Sequence, residues 1–222
     1  MNITFVKHSC YTVETEKHFL IFDYIGGELN IPENKNLIFL VSHRHQDHYS
    51  NLIFKYRNNA KYIISDDCTV ENLEKVTLIS PNEDINIEGL RIKTAGSTDE
   101  GVSFYVKCDN QKIFHSGDLC YWLWDSYSKE DIENMDKWFK SEVDKFKNLN
   151  IDVAMIPIDP RLKEHYKLTA EYYLKTLNAK NYFPMHMWED FNMSKKFKND
   201  FKDEFPQKII HIVEHDNQKF KI

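Results

Sequence analysis

Glycine is scarce in this chain, with 6 residues in 222, and neither GxGxxG nor GxxxxGK[ST] occurs, which excludes the usual glycine-rich phosphate cradles. Cysteine is thin as well. Cys10, Cys68, Cys108 and Cys120 stand far apart with no CxxC pair, so neither a zinc ribbon nor a disulfide framework is expected. Each reads as a small buried hydrophobe with a free thiol, the usual state of cysteine in a reducing cytoplasm, and a cytoplasmic location is the expectation. No apolar run approaches the ~20 residues of a membrane-spanning helix. The opening residues Met1 to His8 have no long apolar stretch after their charge, so no secretory signal is expected. Positive charge is not in excess either. The 29 Lys+Arg face 35 Asp+Glu, and a net charge of -6 argues against broad binding to nucleic acid or anionic membrane. What is present is a globular composition, 41% hydrophobic and 29% charged, at a length that suits one domain over residues 1–222.

The first part of the chain reads as strands. Residues 2–6, 11–14, 19–22, 61–65, 76–79, 85–87, 91–95, 102–106 and 112–114 are short and rich in β-branched or aromatic side chains, with turn signals between them. Residues 37–41, Leu-Ile-Phe-Leu-Val, are apolar without alternation, as a strand covered on both faces would be. The second part mixes in helices. Ile132, Met135, Trp138, Phe139, Val143 and Phe146 recur at three- and four-residue steps, an apolar stripe that assigns Trp138 and Phe139 to the core. Ser128 and Asp131 have the spacing of a capping box at its start. Residues 151–158 read as a strand, 169–177 as a short helix, 181–185 as a strand and 208–213 as a final strand. The order suggests an α/β fold of sheets packed together with helices outside.

The chemistry concentrates in Ser42-His43-Arg44-His45-Gln46-Asp47-His48, which follows the apolar strand directly. Three histidines and an aspartate make the pattern H-x-H-x-D-H. Histidines two apart in an extended turn point the same way, so His43 and His45 can grip one cation while Asp47 and His48 face a second. Imidazole nitrogen and carboxylate oxygen suit zinc, manganese, iron or nickel. Four donors do not complete two sites. Asp118, in Phe114-His115-Ser116-Gly117-Asp118, and His186, in Phe183-Pro184-Met185-His186, also stand at predicted strand ends and are the candidate partners. His115 lies on the strand before Asp118 and is expected to pack rather than ligate.

With these residues assembled, the sequence resembles the metallo-β-lactamase-fold metallohydrolases, in particular compact bacterial members, over nearly its whole length. His43, His45, Asp47 and His48 match the central motif, Asp118 the bridging aspartate, His186 the last histidine, and Asp23 an early structural aspartate at a strand end. The resemblance implies an αββα sandwich, two mixed β-sheets with helices on the outer faces and metals at one edge. One departure stands out. The family's further histidine between the central motif and the bridging aspartate is missing from the stretch Thr94 to Gly101. Two unequal sites are therefore expected, the better furnished made by Asp47, His48, Asp118 and His186. Ser97 or Asp99 is the candidate supplement to the other.

The resemblance implies a metal-dependent hydrolase holding one or two ions, zinc foremost. Metal-activated water would attack an ester, lactone or phosphodiester of a small molecule, with Asp47 both holding metal and handling the proton. Candidate substrate contacts are His8, Tyr49, Trp122 and Arg161, with Tyr121, Trp124 and Trp188 as further candidate pocket walls. The alternatives are a nucleic-acid phosphodiesterase of the same fold, which the acidic balance disfavours, and a non-catalytic metal-binding domain with a degenerate first site.

Overall fold

The computed structural model describes every residue except Arg57 and Leu73. Two seven-stranded sheets form its centre. The first contains β1 (Asn2–Lys7), β2 (Cys10–Glu14), β3 (His18–Phe22), β4 (Asn36–Val41), β5 (Ala60–Ser65), β6 (Val76–Ile79) and β14 (Gln218–Lys221), in the order β14-β1-β2-β3-β4-β5-β6. The second contains β7 (Asp84–Ile87), β8 (Leu90–Gly96), β9 (Val102–Cys108), β10 (Gln111–His115), β11 (Asn150–Pro157), β12 (Asn178–Met185) and β13 (Ile209–Ile210), in the order β13-β12-β11-β10-β9-β8-β7.

Side-chain alternation decides how the sheets stack. Ile3, Phe5, Tyr11, Val13, Leu20, Phe22, Ile38 and Leu40 belong to the core shared with the second sheet. Their alternating neighbours Phe19, Ile21, Leu37, Phe39, Val41, Tyr62 and Ile64 form a second cluster on the opposite face. The unbroken apolar run in β4 is therefore buried on both sides, as its composition predicts. A 3₁₀ turn, Asn51–Tyr56, and the segment 24–31 cover that outer face, through Tyr24, Leu29, Ile31, Leu52 and Phe54.

Helices α1 (Lys129–Val143), α2 (Tyr166–Thr176) and α3 (Asn192–Phe201) form the outer layer beyond the second sheet, α1 touching β8 and α2 touching β11. The capping box is present at α1: the Ser128 hydroxyl accepts from the Asp131 N–H, and the Asp131 carboxylate accepts from the Ser128 N–H. Met135, Phe139 and Val143 face inward at four-residue spacing. Trp138 does not, and the expectation of a core role is corrected. It is 46% exposed, because four-residue steps from Met135 reach Phe139 and leave position 138 on the flank.

Helix α3 and strand β14 lie outside the sequence expectations, and the final strand is shorter than residues 208–213. Its two-residue remnant pairs with Asn181 and Tyr182 of β12. No helix of the described residues is long and apolar enough to cross a membrane.

Strand direction places the site. β3, β4 and β5 run parallel, as do β10, β11 and β12. The loops leaving β3, β4, β10, β11 and β12 carry Asp23, residues 42–48, Asp118, Asp159 and His186, the arrangement that gathers ligands at the carboxyl ends of parallel strands.

Candidate metal centre

Asp118 is the pivot. Its side chain is buried, and its two oxygens face different groups. Oδ1 lies 3.1 Å from His48 Nε2 and 3.4 Å from His186 Nε2, whereas Oδ2 lies 3.7 Å from His43 Nε2. On the Oδ1 side, Asp47 Oδ2 stands 3.3 Å from His8 Nε2 and 3.6 Å from His186 Nε2. On the Oδ2 side, His43 Nε2 is 3.1 Å from His45 Nδ1, which is 3.6 Å from Asp99 Oδ2. His8, Asp47, His48 and His186 thus gather their donor atoms within 4.8 Å of one another, and so do His43, His45, Asp99 and Asp118.

These spacings fit metal ions. Donors bound to one ion at about 2.0–2.2 Å stand roughly 3–3.5 Å apart. The stronger indication is an unmet demand. His8 Nε2, His48 Nε2, His186 Nε2 and Asp118 Oδ1 are buried without a hydrogen-bond partner, and polar atoms left so at a fold's interior are costly unless something binds them.

Each inner ligand is braced from behind. Asp23 Oδ2 holds His48 Nδ1 at 2.7 Å and accepts from the Ser42 hydroxyl at 2.7 Å, and that hydroxyl reaches His43 Nδ1 at 3.0 Å. Asp159 Oδ2 holds His186 Nδ1 at 2.9 Å. Such carboxylate–histidine pairs fix which nitrogen faces the metal. Charge follows the same pattern. Burial opposes the charge on His48, but Asp118 and Asp23 outweigh it and push its pKa up to about 10. Burial, then His48, pushes His43 down to about 4. Burial likewise opposes ionisation of Asp118, and the adjacent His48 and His186 override it, holding its carboxyl well below the usual range.

The local backbone is shaped for this packing. A Cβ on Gly101, at φ +67°, would fall 2.0 Å from the Ser42 carbonyl oxygen and 2.6 Å from His43 Cβ. A Cβ on Gly117, at φ +52°, would fall 2.8 Å from Ser42 Cβ. Both glycines let loops close tightly around the start of the histidine motif.

All six expected ligands, His43, His45, Asp47, His48, Asp118 and His186, come together. The expected substrate contacts divide. His8 sits with Asp47, His48 and His186, its ring 4.4 Å from that of His186. Trp122 flanks the centre, 5.9 Å ring to ring from His186, with its indole N–H donating to the Asp118 carbonyl. Arg161 is turned to another task. Its guanidinium grips both oxygens of Asp159, with Nε at 3.0 and 2.9 Å, and packs 4.6 Å over the Trp188 ring. Tyr49 is not brought to the cluster. Its hydroxyl lies 3.3 Å from the Thr69 carbonyl and 3.2 Å from Asn51 Oδ1. His115 packs as expected, stacked on Phe22 and donating from Nε2 to the Ser9 carbonyl at 2.9 Å. The Ser97 hydroxyl accepts the Asp99 N–H at 3.1 Å, and Asp99 stands in the cluster with His43, His45 and Asp118.

Asp159 is the residue that sequence reasoning missed. Its only signal was its position directly after a predicted strand, in Ile158-Asp159-Pro160-Arg161, where attention fell on the arginine. Beside the centre lies a cavity of about 390 Å³ whose lining includes Asp47 and His8 together with Phe5, Ile25, Met187, Trp188 and Phe191.

Two stacked mixed sheets with an acid–imidazole centre at their edge define a metallo-β-lactamase-fold metallohydrolase, and the chain belongs to the β-lactamase superfamily, whose domain model matches residues 2–186. It is 27% identical over 228 residues to a UPF0173 metal-dependent hydrolase of Bacillus licheniformis, covering 96% of each chain. YtkL, a UPF0173 metal-dependent hydrolase of Bacillus subtilis, is 28% identical over the same share of both. Among solved structures, the fold is similar to that of Igni18, a metallo hydrolase of the archaeon Ignicoccus hospitalis, at 18% identity and a TM-score of 0.69, covering 100% of this chain and 98% of that one.

Proposed function

We propose that the chain is a metal-dependent hydrolase acting on a small ester or lactone, with His43, His45, Asp47, His48, Asp118 and His186 as its metal ligands. The observation that carries this reading is the divided Asp118 carboxylate, one oxygen toward each imidazole cluster, with its own Oδ1 and three buried imidazole nitrogens, of His8, His48 and His186, left without a hydrogen-bond partner. A bound metal lowers the pKa of water to near neutrality and polarises the oxygen of the scissile group.

The protein's own side chains do the rest. Asp47 is the more exposed carboxylate, at 31% for its side chain against 4% for Asp118. It lines the cavity, and His186 and His8, outweighing the effect of burial, keep it ionised. It therefore combines a ligand's charge with access to a proton. Phe5, Ile25, Met187, Trp188 and Phe191 offer an apolar wall beside it for the non-reacting part of a substrate.

The charge around the cavity favours a neutral acyl substrate over a phosphodiester. Arg161, the cation nearest the tryptophans, is already paired with Asp159, and Glu189 and Asp216 line the cavity along with Lys7. The four free, buried cysteines suit a reducing compartment, which we take to be the cytoplasm. The test is a hydrolysis screen of metal-loaded protein against generic esters, lactones and phosphodiesters. Turnover of esters or lactones that is lost on chelation and restored by metal is expected. Inactivity toward all three classes with two ions bound would reject the reading.

A further inference from the structure

Resting on that reading, we propose that the two metal positions differ in kind: the position made by His43, His45, Asp99 and Asp118 takes manganese(II) or iron(II), and the one made by His8, Asp47, His48 and His186 takes zinc. The argument begins with what stands where an imidazole is missing. The loop Ser97 to Gly101 carries no histidine, and Asp99 fills the gap, 3.6 Å from His45 Nδ1. The loop is built to deliver it. The Ser97 hydroxyl accepts the Asp99 N–H, and Gly101 closes against His43.

Glu100, the next residue, lies 3.3 Å from His45 Nε2 and is itself held by Arg44 Nε at 2.6 Å. That contact turns His45 Nδ1 inward, so one loop supplies both a ligand and the brace for another.

The two donor sets are chemically unlike. The Asp99 position has two imidazoles and two carboxylates, and His45 and Asp99 are 40% and 36% exposed, leaving room for water. Two histidines and a carboxylate with open positions suit non-haem iron(II), and added carboxylate and water suit manganese(II). The other position has three imidazoles and the Asp47 carboxylate, with the shared Asp118 facing it through Oδ1, and all but Asp47 are deeply enclosed. His8 makes the difference: its Nε2 is buried, unpartnered and aimed at Asp47. Imidazole-rich closed sets favour zinc. In effect, the nitrogen donor absent from one position is present in the other.

The test uses the full chain, stripped with a chelator, loaded with zinc and dialysed against manganese(II). Zinc per chain is counted by plasma mass spectrometry, and bound manganese is read from its paramagnetic resonance spectrum. Wild type is expected to keep one zinc and gain one manganese. Asp99→His should keep both zinc ions and take up at least tenfold less manganese. Asp99→Ala, with its fold checked by circular dichroism, should keep one zinc and bind manganese at least tenfold more weakly. Retention or exchange of both zinc ions by wild type, or an unchanged manganese signal in Asp99→Ala, would overturn the assignment. A wild-type chain that holds no metal at either position would contradict the hydrolase reading beneath it.

Discussion

At the scale of single residues, the centre depends on side chains that never reach the metal. Asp159 holds His186 and is in turn gripped by Arg161 and the Trp188 indole N–H. Replacing it with asparagine keeps the shape but removes the charge, so a fall of about 10–100-fold in metal affinity or activity is expected, with the fold unchanged. Parallel measurements of metal content and turnover on Asp159→Asn check this. Arg161→Lys should act in the same direction but more weakly, since lysine cannot reproduce the two-pronged grip. The metal-ligand motif was legible because H-x-H-x-D-H compresses four donors into a short run. Asp159 and Asp99 were harder to read, because a lone aspartate at a strand end is ordinary in sequence and gains meaning only from what converges on it. Tyr49 shows the converse: adjacent to the motif in sequence, it is turned by the loop toward the Thr69 carbonyl.

At the scale of elements, the tight approach of loops around Ser42 and His43 is a second point of failure. Gly101→Ala adds a Cβ into backbone at a positive φ. A loss of about 2–4 kcal/mol, read by denaturant unfolding, is expected together with impaired metal binding. The edge of the second sheet carries a pH dependence. His211 stacks on Phe183 at 4.1 Å, and its Nε2 lies 3.0 Å from Asn181 Oδ1. Burial, then Lys198, lowers its pKa from 6.5 to about 4. The unfolded chain therefore takes up this proton first as pH falls. The stabilisation is complete above about pH 6.5 and drains away toward pH 4. Unfolding curves across that window should flatten in His211→Gln relative to wild type. Strands with alternating or unbroken apolar runs were legible. β14, Gln218-Lys219-Phe220-Lys221, was not, because it is a polar edge strand whose one large apolar side chain, Phe220, packs on Phe183. Helix α3 was missed although Met193, Phe197 and Phe201 keep four-residue spacing, since lysines crowd the intervening positions.

At the scale of the whole molecule, two sheets supply a rigid frame, and the strand ends of both contribute to one centre. The β-sandwich and the outer helices could be expected from patterning. Asp118 and His186 were legible as candidates from their places at predicted strand ends, and the resemblance matched them to residues 42–48; nothing local in those segments encodes which distant loops meet. The frame and the metal should be thermodynamically linked. Ligands that bind only the folded chain stabilise it, by about 2.7 kcal/mol at a hundredfold excess over the dissociation constant. Thermal unfolding should therefore shift upward on metal addition in wild type and much less in Asp118→Asn. The most direct single measurement is anomalous scattering from crystals of the metal-loaded protein. Two peaks about 3.5–4 Å apart, one on either side of the Asp118 carboxylate, are expected. Well-ordered crystals with no peak beside Asp118, or with ions bound only elsewhere on the surface, would contradict the account.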